Sequence, residues 1–173
     1  MSEPRFPAQW RGLRPHKLLK RLELEPTLGE AFERLGRALV DELPPRMLET
    51  IALRVSARRD CRYIWAGHVA IAFNHPEHPL SIAEIARIAY GSSALRGSDA
   101  LLVRAVDELL DQSLSRSAQA ALGTRAPRVT LATGFYDTIA ALMHDVEPER
   151  DVPVIPGLET PSLAARLALE RAA

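Results

Sequence analysis

Cys61-Arg62-Tyr63-Ile64-Trp65-Ala66-Gly67-His68 is the segment of this 173-residue chain with the densest chemistry, because it sets a thiol and an imidazole seven residues apart. On a helix, seven residues at about 100° each bring His68 back to within roughly 20° of Cys61, two turns and roughly 10 Å further along. That spacing suits a water or substrate bridging the two groups better than a tight ion pair. Arg58, Arg59 and Arg62 flank the thiol at what reads as a helix start. Positive charge and the helix dipole both favour thiolate, so a depressed Cys61 pKa is expected if those arginines face it. The bland alternatives are a buried, inert cysteine and a packed core histidine. Glu49 taken alone reads as a surface carboxylate or as a salt-bridge partner of Arg54 or Arg58.

Other chemical patterns are weaker. His75-Pro-Glu-His78 has two histidines, but its prolines make it a loop and no third ligand follows at a fixed spacing, so no metal is expected. Ser81 to Ala89 has the length of the first helix of a helix-turn-helix. The residues after it, Gly91 to Ser98, lack the side chains of a recognition helix. Dinucleotide, P-loop and nucleophile-elbow signatures are missing.

The elements that must hold Glu49, Cys61 and His68 are helical. Leu28, Phe32, Leu35 and Leu39 form an amphipathic stripe that Pro44-Pro45 ends, and Pro45 suits the first turn of a second helix running to about Arg58. Asp60 is expected to cap a third helix that stops before Asn74. Ser81 and Glu84 form a capping box ahead of Ile85 and Ile88, and Gly91 closes that helix. Longer stripes follow from Asp99 to about Leu114 and from about Pro127 to His144. Residues 1–26, with Pro4, Phe6, Pro7, Trp10 and Pro15, read as a Pro-rich arm lying on the body or on a neighbouring subunit. Residues 27–145 read as the domain, and 146–173 as a tail with a short helix at Ser162 to Glu170. The expected fold is all-α.

Composition agrees. The chain has 22 Lys+Arg against 22 Asp+Glu, and only Lys17 and Lys20 are lysines. Zero net charge gives no field to gather nucleic acid or an anionic membrane, so neither is expected as a partner. A hydrophobic fraction of 47% with only 9 glycines favours helices around a core. A single cysteine allows no internal disulfide and no thiolate zinc cluster, which suits a cytoplasmic setting. No secretory signal or membrane-length apolar run is evident.

Five blocks, in order, resemble the carboxymuconolactone decarboxylase / alkylhydroperoxidase D (AhpD) superfamily. They are Glu49 with Leu53-Arg54-Val55-Ser56-Ala57; Cys61-x-Tyr63-x-Trp65-x-x-His68-Val69-x-Ile71-Ala72; Ser81-Ile82-x-Glu84-Ile85; Asp99 to Leu109; and Gly134-Phe135-Tyr136. The resemblance implies an AhpD-like helical bundle that assembles into a homo-oligomer, a trimer or hexamer, with sites near subunit contacts. In the peroxidase branch the matching positions are Glu49, Cys61, Ile64 and His68. Ile64 replaces the second cysteine, so a dithiol cycle lacks its internal partner. The decarboxylase-like pattern of tyrosine, acid, tryptophan and histidine is matched here by Tyr63, Ile64, Trp65 and His68, without the acid.

The expected site is therefore catalytic Glu49, Cys61 and His68, with Tyr63, Trp65, Arg54 and Arg62 contacting a small-molecule substrate. His68 would act as general acid/base, Glu49 would tune it, and an arginine would hold a carboxylate by paired hydrogen bonds. No cofactor is expected. The alternatives are a one-cysteine thiol peroxidase that forms a sulfenic acid at Cys61 and needs an external thiol reductant, and a non-catalytic oligomeric binding protein on the same scaffold.

Overall fold

The computed structural model describes residues 16–22, 26–111, 113–148 and 152–170. Most of the Pro-rich arm, from Met1 to Pro15, lies outside the described residues. Within the described part every regular element is helical: α1 (His16–Leu22), α2 (Pro26–Glu42), α3 (Pro45–Arg58), α4 (Arg62–Phe73), α5 (Ile82–Tyr90), α6 (Gly97–Asp111), α7 (Arg116–Leu122), α8 (Ala126–Met143) and α9 (Pro161–Glu170). Single 3-10 turns at Ser92–Ala94 and Gly123–Arg125 join neighbouring helices. No helix of the described residues is long and apolar enough to cross a membrane.

Helix α3 is the axis of the bundle, packing on α4, α5, α6 and α8. Every residue from Leu48 to Ser56 is buried. Such burial is costly for polar groups unless each finds a partner. Thr50 Oγ1 donates to the Arg46 carbonyl at 2.8 Å and Ser56 Oγ to the Leu53 carbonyl at 2.9 Å. Arg54 and Glu49 are satisfied by long-range partners described below. One apolar cluster gathers Ile51 and Val55 with Val106, Val129 and Ile139. A second gathers Leu53 with Trp65, Ile85, Leu158 and Ala164. The central helix thus contributes to both cores, as α4 and α6 do.

Local chemistry sets several boundaries. Pro45 occupies the first turn of α3. Ser81 and Glu84 make both bonds of the capping box, and Gly91, at φ 134°, ends α5 in a conformation that side chains rarely adopt. The start of α4 differs from expectation. Cys61, not Asp60, is its N-cap, and Asp60 takes a left-handed φ of 48° that lets the Cys61 N–H reach the Ser56 carbonyl at 2.9 Å. Residues 16–22, read as part of an irregular arm, form α1, which buries Leu18. The short α7 has no counterpart in the sequence reading. The tail is tied down: α9 lies along α5 and buries Ala164 and Ala168 in the second core.

Candidate acid–base site

Helices α3 and α4 present their inward faces to each other, and at their crossing Glu49 meets His68. The His68 Nδ1 to Glu49 Oε2 distance is 2.7 Å, and the two side chains keep only 9% and 5% of their surface. If the Glu49 carboxylate is ionised it can only accept, which makes Nδ1 the donor of this bond and leaves Nε2 as the ring nitrogen for exchange with a ligand. In a low-dielectric surrounding a charge-assisted bond of this kind is strong and directional.

Tyr136 on α8 completes the enclosure. Its ring stands edge-on to the His68 imidazole, with centroids 5.0 Å apart and planes at 90°. Burial, and after it the negative charge of Glu49, pushes the Tyr136 hydroxyl well above its ordinary pKa, so it stays a neutral phenol. Phe135 packs edge-on to Tyr136 at 5.4 Å and stacks on Phe32 of α2 at 4.4 Å, so the aromatic wall is continuous with the first core. In the sequence Tyr136 stands only as part of the Gly134-Phe135-Tyr136 block, with no site role expected. Its contact with His68 spans two helices far apart in the chain and leaves no local signal.

Cys61 has no exposed surface, and its thiol lies 3.8 Å from the Met143 carbonyl at the end of α8. Burial raises its pKa, against a smaller lowering by the Ile64 and Tyr63 backbone N–H groups. The expected depressed thiol pKa is thus corrected. The flanking arginines are drawn outward: Arg58 pairs with Asp107 and Asp111, Arg59 with Asp137, and Arg62 with Glu147 at 3.0 Å. Cys61 and His68 share a helix but take separate partners.

Arg54, expected to contact substrate, is held inside the fold. Its Nε and Nη2 make a paired contact with Asp107 at 2.7 and 2.9 Å, and its Nη1 donates to the Ile88 and Ala89 carbonyls at 3.1 and 2.7 Å. The guanidinium caps the C-terminal end of α5 and ties it to α6. Trp65 is likewise taken up by the fold, fully buried and donating its Nε1–H to the Leu158 carbonyl at 2.7 Å. Tyr63 and Ile64 are buried in the first core. Arg62 is exposed and lies along a groove between α4 and the segment leading to α9. No cluster of three or more metal-ligating side chains occurs among the described residues. In the His75 to His78 loop, His75 Nδ1 accepts the backbone N–H groups of Glu77 and His78 at 3.2 and 3.0 Å.

Comparison with known proteins gives a family. The model of the carboxymuconolactone decarboxylase family matches residues 26–111, the stretch from α2 through α6 that carries both Glu49 and His68. No curated protein and no solved structure gives a significant match. Residues 26–111, all-helical throughout their regular elements, thus form a segment of the carboxymuconolactone decarboxylase family.

Proposed function

We propose that the chain is a cofactor-independent enzyme that uses His68 and Glu49 for acid–base chemistry on a small organic acid or lactone. The observation that carries this reading is the buried 2.7 Å bond between the two side chains. A base oriented through one ring nitrogen by a carboxylate is the arrangement that proton transfer in a dry site requires. In a decarboxylation the bond to the carboxyl carbon breaks, carbon dioxide leaves, and the electron pair stays on the substrate carbon as an enolate. His68, protonated, delivers a proton to that carbon through Nε2, and Glu49 holds the ring and balances the imidazolium charge beforehand. Tyr136 fixes the plane of the imidazole by its edge contact. On this reading the protein is a homo-oligomer of the trimeric or hexameric kind, with ligand entry beside a subunit contact, and works in the cytoplasm.

The one-cysteine peroxidase reading has less support. A thiol without exposed surface and with a raised pKa is a poor peroxide nucleophile, and an external thiol would have to reach it. The test is carbon dioxide release from a carboxymuconolactone and from β-keto acids by the wild type, His68→Ala, Glu49→Gln and Cys61→Ala. Loss of turnover by about 10²-fold or more in His68→Ala, with Cys61→Ala retaining it, is the expected pattern. Full turnover in His68→Ala would remove the proposal. Peroxide consumption that disappears in Cys61→Ala would replace it with the thiol route.

A further inference from the structure

Tyr136 keeps only 2% of its surface, yet among the described residues no group hydrogen-bonds its hydroxyl. Nor is this oxygen among those enclosed without a partner, so the little surface that the residue keeps includes it. Other buried polar groups of the bundle are taken up by the fold. Thr133, earlier on the same helix, donates to the Val129 carbonyl at 2.8 Å, and the Trp65 indole donates to the Leu158 carbonyl at 2.7 Å. A phenol at the far end of a ring cannot turn back to its own helix as a threonine does. A buried donor left without an acceptor lowers stability unless something else accepts its hydrogen.

Position ties this donor to the acid–base pair. The Tyr136 ring stands edge-on to the His68 imidazole at 5.0 Å, and Phe135 packs edge-on to the same ring at 5.4 Å. Helix α8 packs on both α3 and α4, so the hydroxyl belongs to the frame that carries Glu49 and His68. The negative charge of Glu49 acts on it and, after burial, opposes its ionisation. The hydrogen therefore stays on the phenol oxygen at neutral pH, available to an acceptor that enters beside the imidazole.

We propose that Tyr136 is a further catalytic residue, whose hydroxyl donates a hydrogen bond to a carbonyl oxygen of the substrate and stabilises the negative charge that reaches this oxygen when carbon dioxide leaves. The inference rests on the acid–base reading above and narrows its substrate class to acids with one carbon between the carboxylate and a ketone or lactone carbonyl. Only then does the electron pair of the breaking carbon–carbon bond pass directly into the carbonyl group as an enolate. The phenol keeps its proton and shares it with the enolate oxygen. His68 then delivers a proton from Nε2 to the carbon, and the carbonyl double bond forms again. A donor fixed in advance where charge develops needs no reorganisation at the moment of reaction.

Tyr136→Phe removes the hydroxyl and keeps the ring that packs on His68. In the ligand-free protein a hydroxyl without a partner has no bond to lose, so the urea midpoint of Tyr136→Phe is expected to equal or exceed that of the wild type. A lowered midpoint would overturn the proposal, because the phenol would then be engaged within the fold. With acetoacetate as substrate, kcat in Tyr136→Phe is expected to fall by about 10²-fold or more while KM changes by less than about threefold. Unchanged kcat, with His68→Ala inactive, would overturn the role of Tyr136 and leave the acid–base pair standing. Acetylacetone, a β-diketone without a carboxylate, decides the matter where the wild type releases no carbon dioxide and the decarboxylase reading itself fails. Its ultraviolet enolate band is expected on the wild type and at least about tenfold weaker on Tyr136→Phe. Equal bands, or none on either protein, would overturn the proposal.

Discussion

Arg54→Ala separates a structural arginine from a substrate-binding one. The guanidinium is 8% exposed and makes four contacts: two to Asp107, 19% exposed, and one each to the Ile88 and Ala89 carbonyls. Truncation leaves a mostly buried carboxylate without this partner and takes the cap from the last turn of α5. Breaking a buried pair by removing one member costs about 3–5 kcal/mol, a large share of the 5–15 kcal/mol that usually separates folded from unfolded states. For a chain of this length, 1 kcal/mol moves the melting midpoint by about 2–4 °C, so the expected drop is about 6–20 °C. The assay is urea unfolding followed by circular dichroism at fixed protein concentration, where the midpoint should fall with an unchanged slope. Asp107 also holds Arg58 at 3.0 Å, so Asp107→Asn should be destabilising too, and the double variant should lose less than the sum. Arg54→Lys should recover only part of the loss, because an ammonium cannot reproduce the paired contact. A loss below about 1 kcal/mol in Arg54→Ala, with a raised KM for an acidic substrate, would refute the structural assignment and restore the clamp.

Cys61 should react with a thiol reagent far more slowly in the folded protein than in urea, with an alkylation midpoint above the ordinary thiol value; a midpoint below about 8.5 would contradict its burial. Trp65→Phe strands the buried Leu158 carbonyl, costs about 1–3 kcal/mol, and should speed proteolysis between residues 152 and 160; unchanged cleavage would show that the indole bond does not hold the tail. Burial opposes ionisation of Glu84, but hydrogen bonds from Ser81 and Arg46 outweigh it and lower its pKa to about 2. A depressed carboxylate contributes stability that is present above its unfolded value, near 4.5, and is lost as pH falls toward 2. Glu84→Gln should therefore flatten the pH dependence of stability between about 4.5 and 2, and an unchanged acid profile would count against the cap and the Arg46 bridge.

What could be read from the sequence was what neighbours along the chain decide. The capping box at Ser81 and Glu84, the proline start of α3 and the glycine stop at Gly91 each act within a few residues, and all three are found where expected. Helix α7 escaped because its seven residues bury only Ala118 and Leu122, too few to form a stripe. The Cys61 thiol is raised rather than depressed because the condition for depression, arginines facing it, is not met. Dipole and arginine arguments are local, whereas the end of α8 covers the thiol and distant carboxylates draw the arginines away. Arg54 and Trp65 likewise meet partners far along the chain, Asp107 and the Leu158 carbonyl, which no local pattern reveals. Glu49 and His68 were legible only through the family pattern: nothing in their spacing says that two helices cross there, and Tyr136 enters from a third.

The most direct test of the Glu49–His68 pair is nitrogen NMR of ¹⁵N-histidine protein through a pH titration, wild type against Glu49→Gln. The His68 Nδ1 is expected to carry a proton held by Glu49, with a downfield hydrogen-bonded resonance that shifts sharply in Glu49→Gln. A His68 signal with Nδ1 unprotonated, or one that ignores the substitution, would mean that the carboxylate does not hold the ring and that the proposed acid–base site has no basis.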